Sequence, residues 1–378
     1  MESTQKFEVI IVGGGLAGLT SAIHLAQQGR SILLLEKDEF PRHKVCGEYI
    51  SNEVLPYLQS LGVNPFAFGA KQISRLEIST PRNKKVYSNL PLGGFGISRY
   101  RLDYELYKKA KEEGCITKTE LVTDVDFADD TFTVKTKKGN AYKAQFVLGS
   151  FGKRSNLDKK LDRDFIKKKS PYLGVKIHAS GDFDETKVAL HNFKGGYCGV
   201  SKVENDHINL CYISDYKSFK KYKSIKDFQE KVVFQNESLR AIFSNTSPVF
   251  EAPITISQIS FDSKPRIENH MLMVGDAAGM IHPLCGNGMG MAISSAQLVS
   301  TLLQDFFNGK IKNRNQLEKM YLSNWNKRFQ KRLFFGHKIA SIFNSDFLTN
   351  LMWNFVRAFP FIIPMIIKNT HGKELPTA

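Results

Sequence analysis

The chain has 378 residues, enough for two or three domains at roughly 150 residues each. Hydrophobic residues make up 42% and charged residues 24%, a globular composition that excludes a disordered chain, a collagen and a coiled coil. The formal net charge of +16 indicates an anionic partner, such as nucleic acid, acidic lipid, an acidic carrier protein or a phosphorylated substrate.

The cysteines and the start of the chain indicate the compartment. The five cysteines are odd in number and widely separated, and no pair has Cys-x-x-Cys spacing, which argues against a disulfide framework and a zinc site. Met1 to Glu8 is polar and lacks the charged-then-apolar pattern of a signal peptide. No uncharged apolar run reaches the roughly 18 residues that a membrane-spanning helix needs. We therefore expect a reduced, cytoplasmic protein with no metal site.

The chain begins with the pattern of a strand, a glycine-rich turn, a helix and a second strand. Phe7 to Val12 is a continuous apolar run, Leu16 to Gln28 has helical apolar spacing, and Ser31 to Leu35 is again apolar. Continuously apolar strands are typical of a parallel sheet that is covered on both faces. The start of the chain therefore predicts a parallel α/β sheet.

A glycine motif lies in the first turn. Gly13, Gly15 and Gly18 form G-x-G-x-x-G, and Glu36 follows the second strand. The first glycine permits the tight turn, the second lets the backbone approach a pyrophosphate, and the third lets helix and strand pack closely. The helix N-terminus attracts the pyrophosphate, and Glu36 would accept hydrogen bonds from ribose hydroxyls. The motif predicts a dinucleotide site without a 2′-phosphate; the alternative is a glycine-rich turn with no ligand.

The middle of the chain predicts that the first domain is left and re-entered. The predicted elements are, in order, short strands over 71–98, a helix over Leu102–Glu113, a hairpin over Phe132–Val147 that turns at Gly139-Asn140, period-two strands over 171–262 interrupted by a Lys-rich helix over Tyr216–Phe234, a buried strand over Met271–Val274, and helices from Gly290 onward. The period-two region resembles an antiparallel sheet with helices to one side.

A second glycine-rich motif follows the strand at Met271. It reads Val274-Gly275-Asp276-Ala277-Ala278-Gly279 and continues through His282-Pro283-Leu284-Cys285-Gly286-Asn287-Gly288-Met289-Gly290. A strand that ends in Gly-Asp places a carboxylate where it can accept hydrogen bonds from sugar-chain hydroxyls. The Gly-Asn-Gly at a helix start directs N–H groups at an anionic acceptor. This motif strengthens the prediction of a dinucleotide site.

With both motifs, the sequence resembles the glutathione-reductase-type FAD proteins of the para-hydroxybenzoate hydroxylase fold, which include aromatic hydroxylases, flavin halogenases and geranylgeranyl reductases. Two segments resemble the geranylgeranyl reductase branch: Pro41 to Ser51 matches P-x-x-K-x-C-G-x-x-[IL]-S, and Arg99 to Leu106 matches R-x-x-[LF]-D-x-x-L. The resemblance covers Phe7 to about Ala296. It implies an α/β fold with a Rossmann-like three-layer FAD-binding domain, a mixed β-sheet substrate domain that interrupts it, and C-terminal helices.

The resemblance also implies domain boundaries and FAD contacts. The boundaries are 1–70, 97–155 and 265–305 for the discontinuous FAD-binding domain, 71–96 and 156–264 for the substrate domain, and 306–378 for the C-terminal helical region. Asp276 is expected to bind the flavin ribitol, Gly286 to Met289 to stabilise the reduced anionic flavin, and Arg99 to contact FAD. The predicted FAD-binding residues are Gly13, Gly15, Leu16, Ala17, Gly18, Glu36, Lys37, Arg42, Cys46, Gly47, Arg99, Gly275, Asp276, Pro283, Gly286, Asn287, Gly288 and Met289.

Departures from the family patterns restrict which of the family's activities this chain is expected to have. Phe151 replaces the aspartate of the hydroxylase G-A-D-G segment, which argues against direct reduction by NAD(P)H in the hydroxylase manner, and the halogenase W-x-W-x-I-P segment is absent. We expect a geranylgeranyl reductase-like enzyme that reduces a carbon–carbon double bond of a hydrophobic, prenyl or carrier-bound substrate, with NAD(P)H or a reduced donor protein as electron source. Two alternatives stay open: an FAD-dependent monooxygenase acting on an aromatic or polyketide substrate, and a membrane-docked flavin electron-relay protein.

Few side chains in the motifs are candidates for catalysis. Cys46 is the candidate catalytic residue near the flavin, and a small buried apolar residue is the alternative interpretation. His43 and His282 are the histidines inside motifs, where a hydrogen-bonding role competes with an acid/base role. The sequence names no proton donor.

Basic residues cluster in three stretches, at 153–169, 217–231 and 310–338. The last stretch leads into the apolar segment Leu351–Ile367, which is interrupted by Arg357, Pro360 and Pro364. That segment is predicted either to cap the core or to lie on a bilayer, and a basic helix followed by an apolar one suits peripheral membrane contact. A solvated basic face is the alternative. No nucleic-acid module accompanies the charge, so we expect no nucleic-acid partner.

Overall fold

The computed structural model describes residues 5–81, 83–168, 171–257, 259–343, 354–356, 358–359 and 361–378, with side chains up to residue 338 in the long C-terminal helix. The predictions that concern Leu351, Trp353, Arg357 and Pro360 lie outside the described residues.

The strands are, in chain order, β1 (Lys6–Val12), β2 (Ile32–Glu36), β3 (Tyr49–Ser51), β4 (Lys71–Ser79), β5 (Lys85–Gly96), β6 (Ile116–Thr119), β7 (Val122–Ala128), β8 (Thr131–Thr136), β9 (Ala141–Gly149), β10 (Tyr172–Gly181), β11 (Lys187–Phe193), β12 (Gly196–Lys202), β13 (Ile208–Asp215), β14 (Thr246–Pro248), β15 (Ile254–Ser257), β16 (Ile267–Glu268) and β17 (Met271–Met273).

The described α-helices are α1 (Leu16–Gln27), α2 (Leu55–Ser60), α3 (Arg99–Glu112), α4 (Asn156–Lys160), α5 (Tyr216–Phe219), α6 (Ile225–Lys231), α7 (Glu237–Ser244), α8 (Gly288–Phe307), α9 (Arg314–Phe343) and α10 (Ile362–Thr370).

The first sheet has the strand order β16-β17-β9-β1-β2-β6, with the β7–β8 hairpin attached to β9. β1 pairs in parallel with β2 and β9, and β17 pairs in parallel with β9. Both faces of β2 are buried, as its continuous apolar run predicts. The chain therefore returns to this sheet at β16 and β17, and the second glycine motif follows β17.

The second sheet has the order β14-β10-β13-β12-β11-β4-β5-β3, with β15 paired to β10. One face packs against a cluster that includes Phe193, Tyr212 and Phe228, with α6 and α7 contributing to that cluster. The opposite face meets the first domain and the C-terminal segment. This arrangement confirms the predicted α/β fold class with two mixed sheets.

Two predicted helix bounds differ from the structure. α3 begins at Arg99 rather than at Leu102, because the Ser98 side chain accepts a hydrogen bond from the Arg101 N–H at 3.0 Å and caps the helix. The stretch predicted to be helical from Tyr216 to Phe234 is not one continuous helix. It is divided into α5 and α6 because Ser224 starts a new helix by capping the N–H of Asp227 at 3.1 Å.

The C-terminal part packs across the second sheet. Val356 and Ile363, on α10 and the segment before it, are buried in a cluster with Tyr49 on β3, Leu76 on β4 and other apolar residues of that sheet. In the ranges described above, the structure has no helix that is both long and apolar enough to cross a membrane. The five cysteines are all described, and all are free thiols.

Candidate cofactor and substrate site

A cavity of about 1170 Å³ is lined by the first sheet, by the second sheet and by α10. All of the predicted cofactor-binding residues line it except Gly18 and Asn287. The structure therefore brings motifs from distant parts of the sequence around one space.

The first glycine motif has a different constraint at each glycine. Gly13 has φ +108°, and a Cβ there would lie 2.5 Å from the Ser150 carbonyl oxygen. A Cβ on Gly18 would collide with the Gly13 carbonyl, so Gly18 serves helix packing rather than the cavity. Gly15 differs, because the nearest atom to its Cβ would be Arg99 Nη2 at 4.0 Å. Gly15 therefore leaves space open in the cavity wall.

The Glu36 carboxylate connects the end of β2 to this turn. It accepts a hydrogen bond from the Gly14 N–H at 2.6 Å and pairs with Arg42 at 3.0 Å. Burial alone would raise the pKa of Glu36, but Arg42, the Gly14 N–H and Lys44 outweigh it, and the net pKa is lowered. The side chain is therefore an anionic acceptor at neutral pH, as ribose hydroxyls require.

Arg99 is oriented by a buried carboxylate that the sequence analysis missed. Asp103 accepts from Arg99 Nε at 2.7 Å and Nη2 at 2.8 Å, and it also pairs with Lys44 at 2.7 Å. Burial raises the pKa of Asp103. The opposing effect of Arg99 and Lys44 is larger, so the net pKa lies below its ordinary value. The spacing of four residues on one helix was the available sequence signal.

The second glycine motif meets the first at the cavity. A Cβ on Gly275, which has φ +63°, would lie 3.0 Å from the Ala17 Cβ on α1. Asp276 lines the cavity, and burial raises its pKa against the opposing effect of Lys264, Arg99 and Lys153. Burial also lowers the pKa of both Lys153 and Lys264 to about 8. These cations are the second group that the sequence analysis did not assign.

The start of α8 supplies three of its four predicted residues to the cavity. Gly286, Gly288 and Met289 line it, and a Cβ on Gly288 would meet no atom within 4 Å. Asn287 does not line the cavity, because its side chain is buried and donates to the Thr370 carbonyl at 2.9 Å; the prediction that its backbone N–H faces the flavin stays a prediction. Asn287 thereby ties the start of α8 to the end of α10.

The loop around Cys46 lines the cavity beside a buried ion pair. Glu48 is fully buried, pairs with Lys176 and shares a hydrogen bond with His178 Nε2 at 2.7 Å. Burial raises the pKa of the Cys46 thiol, against the opposing effect of Arg99. Cys46 is therefore a protonated thiol at neutral pH and not a nucleophilic thiolate.

The motif histidines are neutral at physiological pH. Burial, with nearby Lys176 and His178, lowers the pKa of His43 to about 4. Burial, with nearby His337, lowers the pKa of His282 to about 4. Neither imidazole carries a proton to give as an imidazolium near neutral pH.

Away from the glycine motifs the cavity is mainly apolar. Its wall is one face of the second sheet, where alternate residues of each strand point the same way, and the facing side chains of α10. These residues are Leu76 and Ile78 of β4, Leu90 of β5, Val188 and Leu190 of β11, and Ile363, Ile366 and Ile367 of α10. Tyr197 and Cys211 line the part of the wall that is nearer to Cys46.

A family model described as an FAD binding domain matches residues 6–323 of the chain. The chain belongs to this FAD-binding family. It is an FAD-dependent oxidoreductase, and the predicted family resemblance is confirmed. The residues present also fit the cofactor, because Gly15 and Gly288 leave open space where a Cβ would otherwise project into the cavity.

The chain is similar to proteins with different names and to a solved flavoprotein structure. Conditioned medium factor receptor 1 of Dictyostelium discoideum is 23% identical over 94% of this chain and 72% of its own. The digeranylgeranylglycerophospholipid reductase of Methanococcus vannielii is 23% identical over 89% of this chain and 87% of its own. The structure of the flavin-dependent brominase Bmp2 has a TM-score of 0.81 at 17% identity, covering 97% of this chain and 93% of that chain. At this identity the brominase shows the fold alone.

Proposed function

We propose that this enzyme reduces a carbon–carbon double bond in a hydrophobic substrate of prenyl or carrier-bound type. The observation that carries the proposal is the apolar wall, which extends from the cofactor end of the cavity along the second sheet and under α10. From β13 to β5 the wall crosses four strand spacings, on the order of 19 Å. That is room for an extended apolar chain rather than for a single small ring.

The sixteen predicted cofactor-binding residues that line the cavity would hold FAD, with contacts from both glycine motifs. When bound and reduced by the electron donor, FAD would supply hydride chemistry, so that one carbon of the double bond would gain a hydride and the other a proton. The protein excludes water from the reacting carbons and orients them. Tyr197 is buried in the cavity wall, and burial together with nearby Cys211 raises its pKa well above the ordinary value. Tyr197 and Cys46 therefore both retain a proton in the wall of the site.

The relatives support the reductase more than they support an electron relay. The M. vannielii protein is described as a reductase of a lipid with geranylgeranyl chains, and 87% of its length aligns with this chain. A large, mainly apolar cavity that continues from the cofactor residues favours an enzyme with its own substrate over a relay. Phe151 lines the cavity where hydroxylases have an aspartate, so we propose a separate donor protein as electron source, with NAD(P)H as the alternative.

A product analysis tests the proposed reaction. The FAD-loaded enzyme is reduced anaerobically with dithionite, mixed with a geranylgeranyl lipid, and the product is analysed by mass spectrometry. We expect the lipid to gain two hydrogen atoms per reduced double bond, whereas enzyme that is not pre-reduced gives none. Incorporation of oxygen from labelled O₂ into an aromatic substrate, with no lipid reduction, would contradict the reductase and support the monooxygenase alternative.

We also propose that the outer face of α10 and the residues before it docks on an anionic bilayer. The inner face of this segment lines the cavity, while Phe355, Phe359, Phe361 and Met365 are exposed on the outer face, Phe361 to 67%. Lys368 follows on the same helix and is exposed. Exposed aromatic side chains beside basic ones suit insertion at a lipid interface, and an apolar substrate could then pass from the bilayer into the cavity.

A further inference from the structure

The loop from Lys44 to Glu48 lines the cavity. On the side away from the cavity, a side chain of the second sheet holds it by hydrogen bonds. Asn209 on β13 donates from Nδ2 to the carbonyl oxygen of Cys46 at 3.2 Å and to that of Gly47 at 2.9 Å. Asn209 is fully buried and does not line the cavity. One amide group therefore fixes two successive peptide units of the loop.

A second buried side chain fixes the two ends of the same loop. Lys176 on β10 donates to the Lys44 carbonyl oxygen at 3.2 Å and to the Glu48 carboxylate. Glu48 in turn accepts a hydrogen bond from the Arg99 N–H at 2.7 Å and adopts a positive φ of 53°. The loop is thus tied to two strands of the second sheet and to the start of α3, and its central peptides have little freedom to rotate.

The direction of the loop carbonyls determines where its N–H groups point. In a trans peptide the C=O and the N–H point in opposite directions. Because the Cys46 carbonyl faces Asn209, the N–H of Gly47 in the same peptide points away from the sheet. Gly47 is exposed and lines the cavity, and a Cβ on it would meet no atom within 4 Å.

We propose that Asn209 is a positioning residue that presents the Gly47 N–H to bound FAD. A donor that is oriented before the ligand arrives requires no reorganisation and stabilises negative charge on the group it faces. The buried Asn209 Oδ1 has no hydrogen-bond partner among the described residues, and an unsatisfied buried acceptor is destabilising. An amide at this position is therefore explained by what its Nδ2 group holds. The inference depends on FAD binding and applies equally to a reductase or a monooxygenase.

The test compares Asn209→Ala with Ser201→Ala. Ser201 is the register partner of Asn209 on β12, is equally buried, and its hydroxyl has no hydrogen-bond partner among the described residues. The measurements are the Kd for FAD, the midpoint potential of bound FAD and the thermal unfolding of the FAD-free protein. We expect Asn209→Ala to bind FAD about tenfold more weakly and to shift the midpoint potential to a more negative value. Ser201→Ala should leave both quantities unchanged.

A change in Tm alone, with the Kd and the midpoint potential of Asn209→Ala equal to those of Ser201→Ala, would overturn the proposal, because it would indicate a purely structural role. Gly47→Pro provides an independent test if Asn209→Ala fails to fold, since it removes the N–H itself at an exposed loop position. It should shift the midpoint potential in the same direction. A wild-type potential in Gly47→Pro would equally overturn the assignment.

Discussion

The backbone N–H of Gly14 donates a hydrogen bond to the Glu36 carboxylate at 2.6 Å. This contact joins the glycine turn after β1 to the end of β2, and the other carboxylate oxygen pairs with Arg42. The residue predicted to bind ribose thus also holds the turn that would receive the pyrophosphate. The conformation of the glycine turn and the affinity for FAD at this end of the cavity therefore both depend on the Glu36 side chain.

Replacing Glu36 with glutamine should reveal this coupling through pH. The folded pKa of Glu36 lies below its ordinary value of 4.5, so its stabilising effect is complete above that value and is lost as the pH falls through the folded pKa. We expect Glu36→Gln to lower the free energy of unfolding by about 1–2 kcal/mol at neutral pH. Urea unfolding of the FAD-free protein should show a smaller deficit near pH 3.5. An equal deficit at both pH values would contradict the assignment.

Alanine substitutions at two glycines of the first motif should have different effects, one on folding and the other on FAD binding. Gly13→Ala places a Cβ against the Ser150 carbonyl at a positive φ, so this variant should fail to fold. Gly15→Ala should fold, because Gly15 has φ −85° and its Cβ has space. It should bind FAD at least tenfold more weakly, because the Cβ would occupy the approach of the pyrophosphate. Circular dichroism and FAD titration measure the two effects, and wild-type affinity in Gly15→Ala would show that the pyrophosphate binds elsewhere.

The packing of the residues that follow α10, 371–378, should depend on Glu53. This fully buried carboxylate pairs with Arg332 at 3.3 Å and accepts the Gly372 N–H, while its main-chain carbonyl accepts the Leu375 N–H at 2.7 Å. Glu53→Ala leaves Arg332 buried without its partner, and we expect a loss of about 3–5 kcal/mol. Limited proteolysis should then cleave after residue 370. The double variant Glu53→Gln with Arg332→Met removes both charges of the pair and should be less destabilised than Glu53→Ala.

A bulky side chain in the apolar wall should select against long substrates. Leu190 lies in the middle of the wall on β11, so Leu190→Trp should raise the KM for a long prenyl lipid by tenfold or more while FAD affinity stays unchanged. Leu322→Trp, on the exposed surface of α9, is the matched control. Equal KM values in the two variants would show that the substrate does not follow this wall.

Membrane docking should depend on the outer face of α10. The intact protein should co-sediment with vesicles that contain an anionic lipid at low salt, and Phe361→Ser together with Met365→Ser should reduce the bound fraction several-fold. Tyr87→Ser removes an aromatic residue of similar exposure, 62%, from the second sheet and should bind like the wild type. Binding that the α10 variant leaves unchanged would contradict this docking surface.

The glycine motifs could be located from sequence because each is local: a strand, a turn and a helix follow one another within a short segment. The same is true of Arg99, whose helix also carries Asp103. The side chains that hold the Cys46 loop were not predicted. Asn209 is separated from Gly47 by 162 positions, and its only signal was a polar residue inside a buried strand pattern.

Side-chain direction also escaped prediction where it depends on packing. Asn287 lies in a motif that suggests ligand binding, yet its amide turns toward the Thr370 carbonyl. That partner belongs to α10, whose position is determined by burial of Ile363 against the second sheet. Periodicity in the sequence indicates that α10 is amphipathic, but it does not predict which surface of the protein packs against the apolar face.

The position of β17 in the first sheet has a consequence for biosynthesis. β1, β2 and β9 can pair while the chain is still emerging from the ribosome, but β17, which carries the chain into Asp276, is made more than a hundred residues after β9. Until then Leu148 and Gly149 at the end of β9 lack their partners on β17, because β8 pairs only with the first part of this edge. An unpaired strand edge is a template for aggregation. The FAD site is therefore complete only after Asp276 and α8 have been synthesised, and we expect FAD to bind after that point in translation.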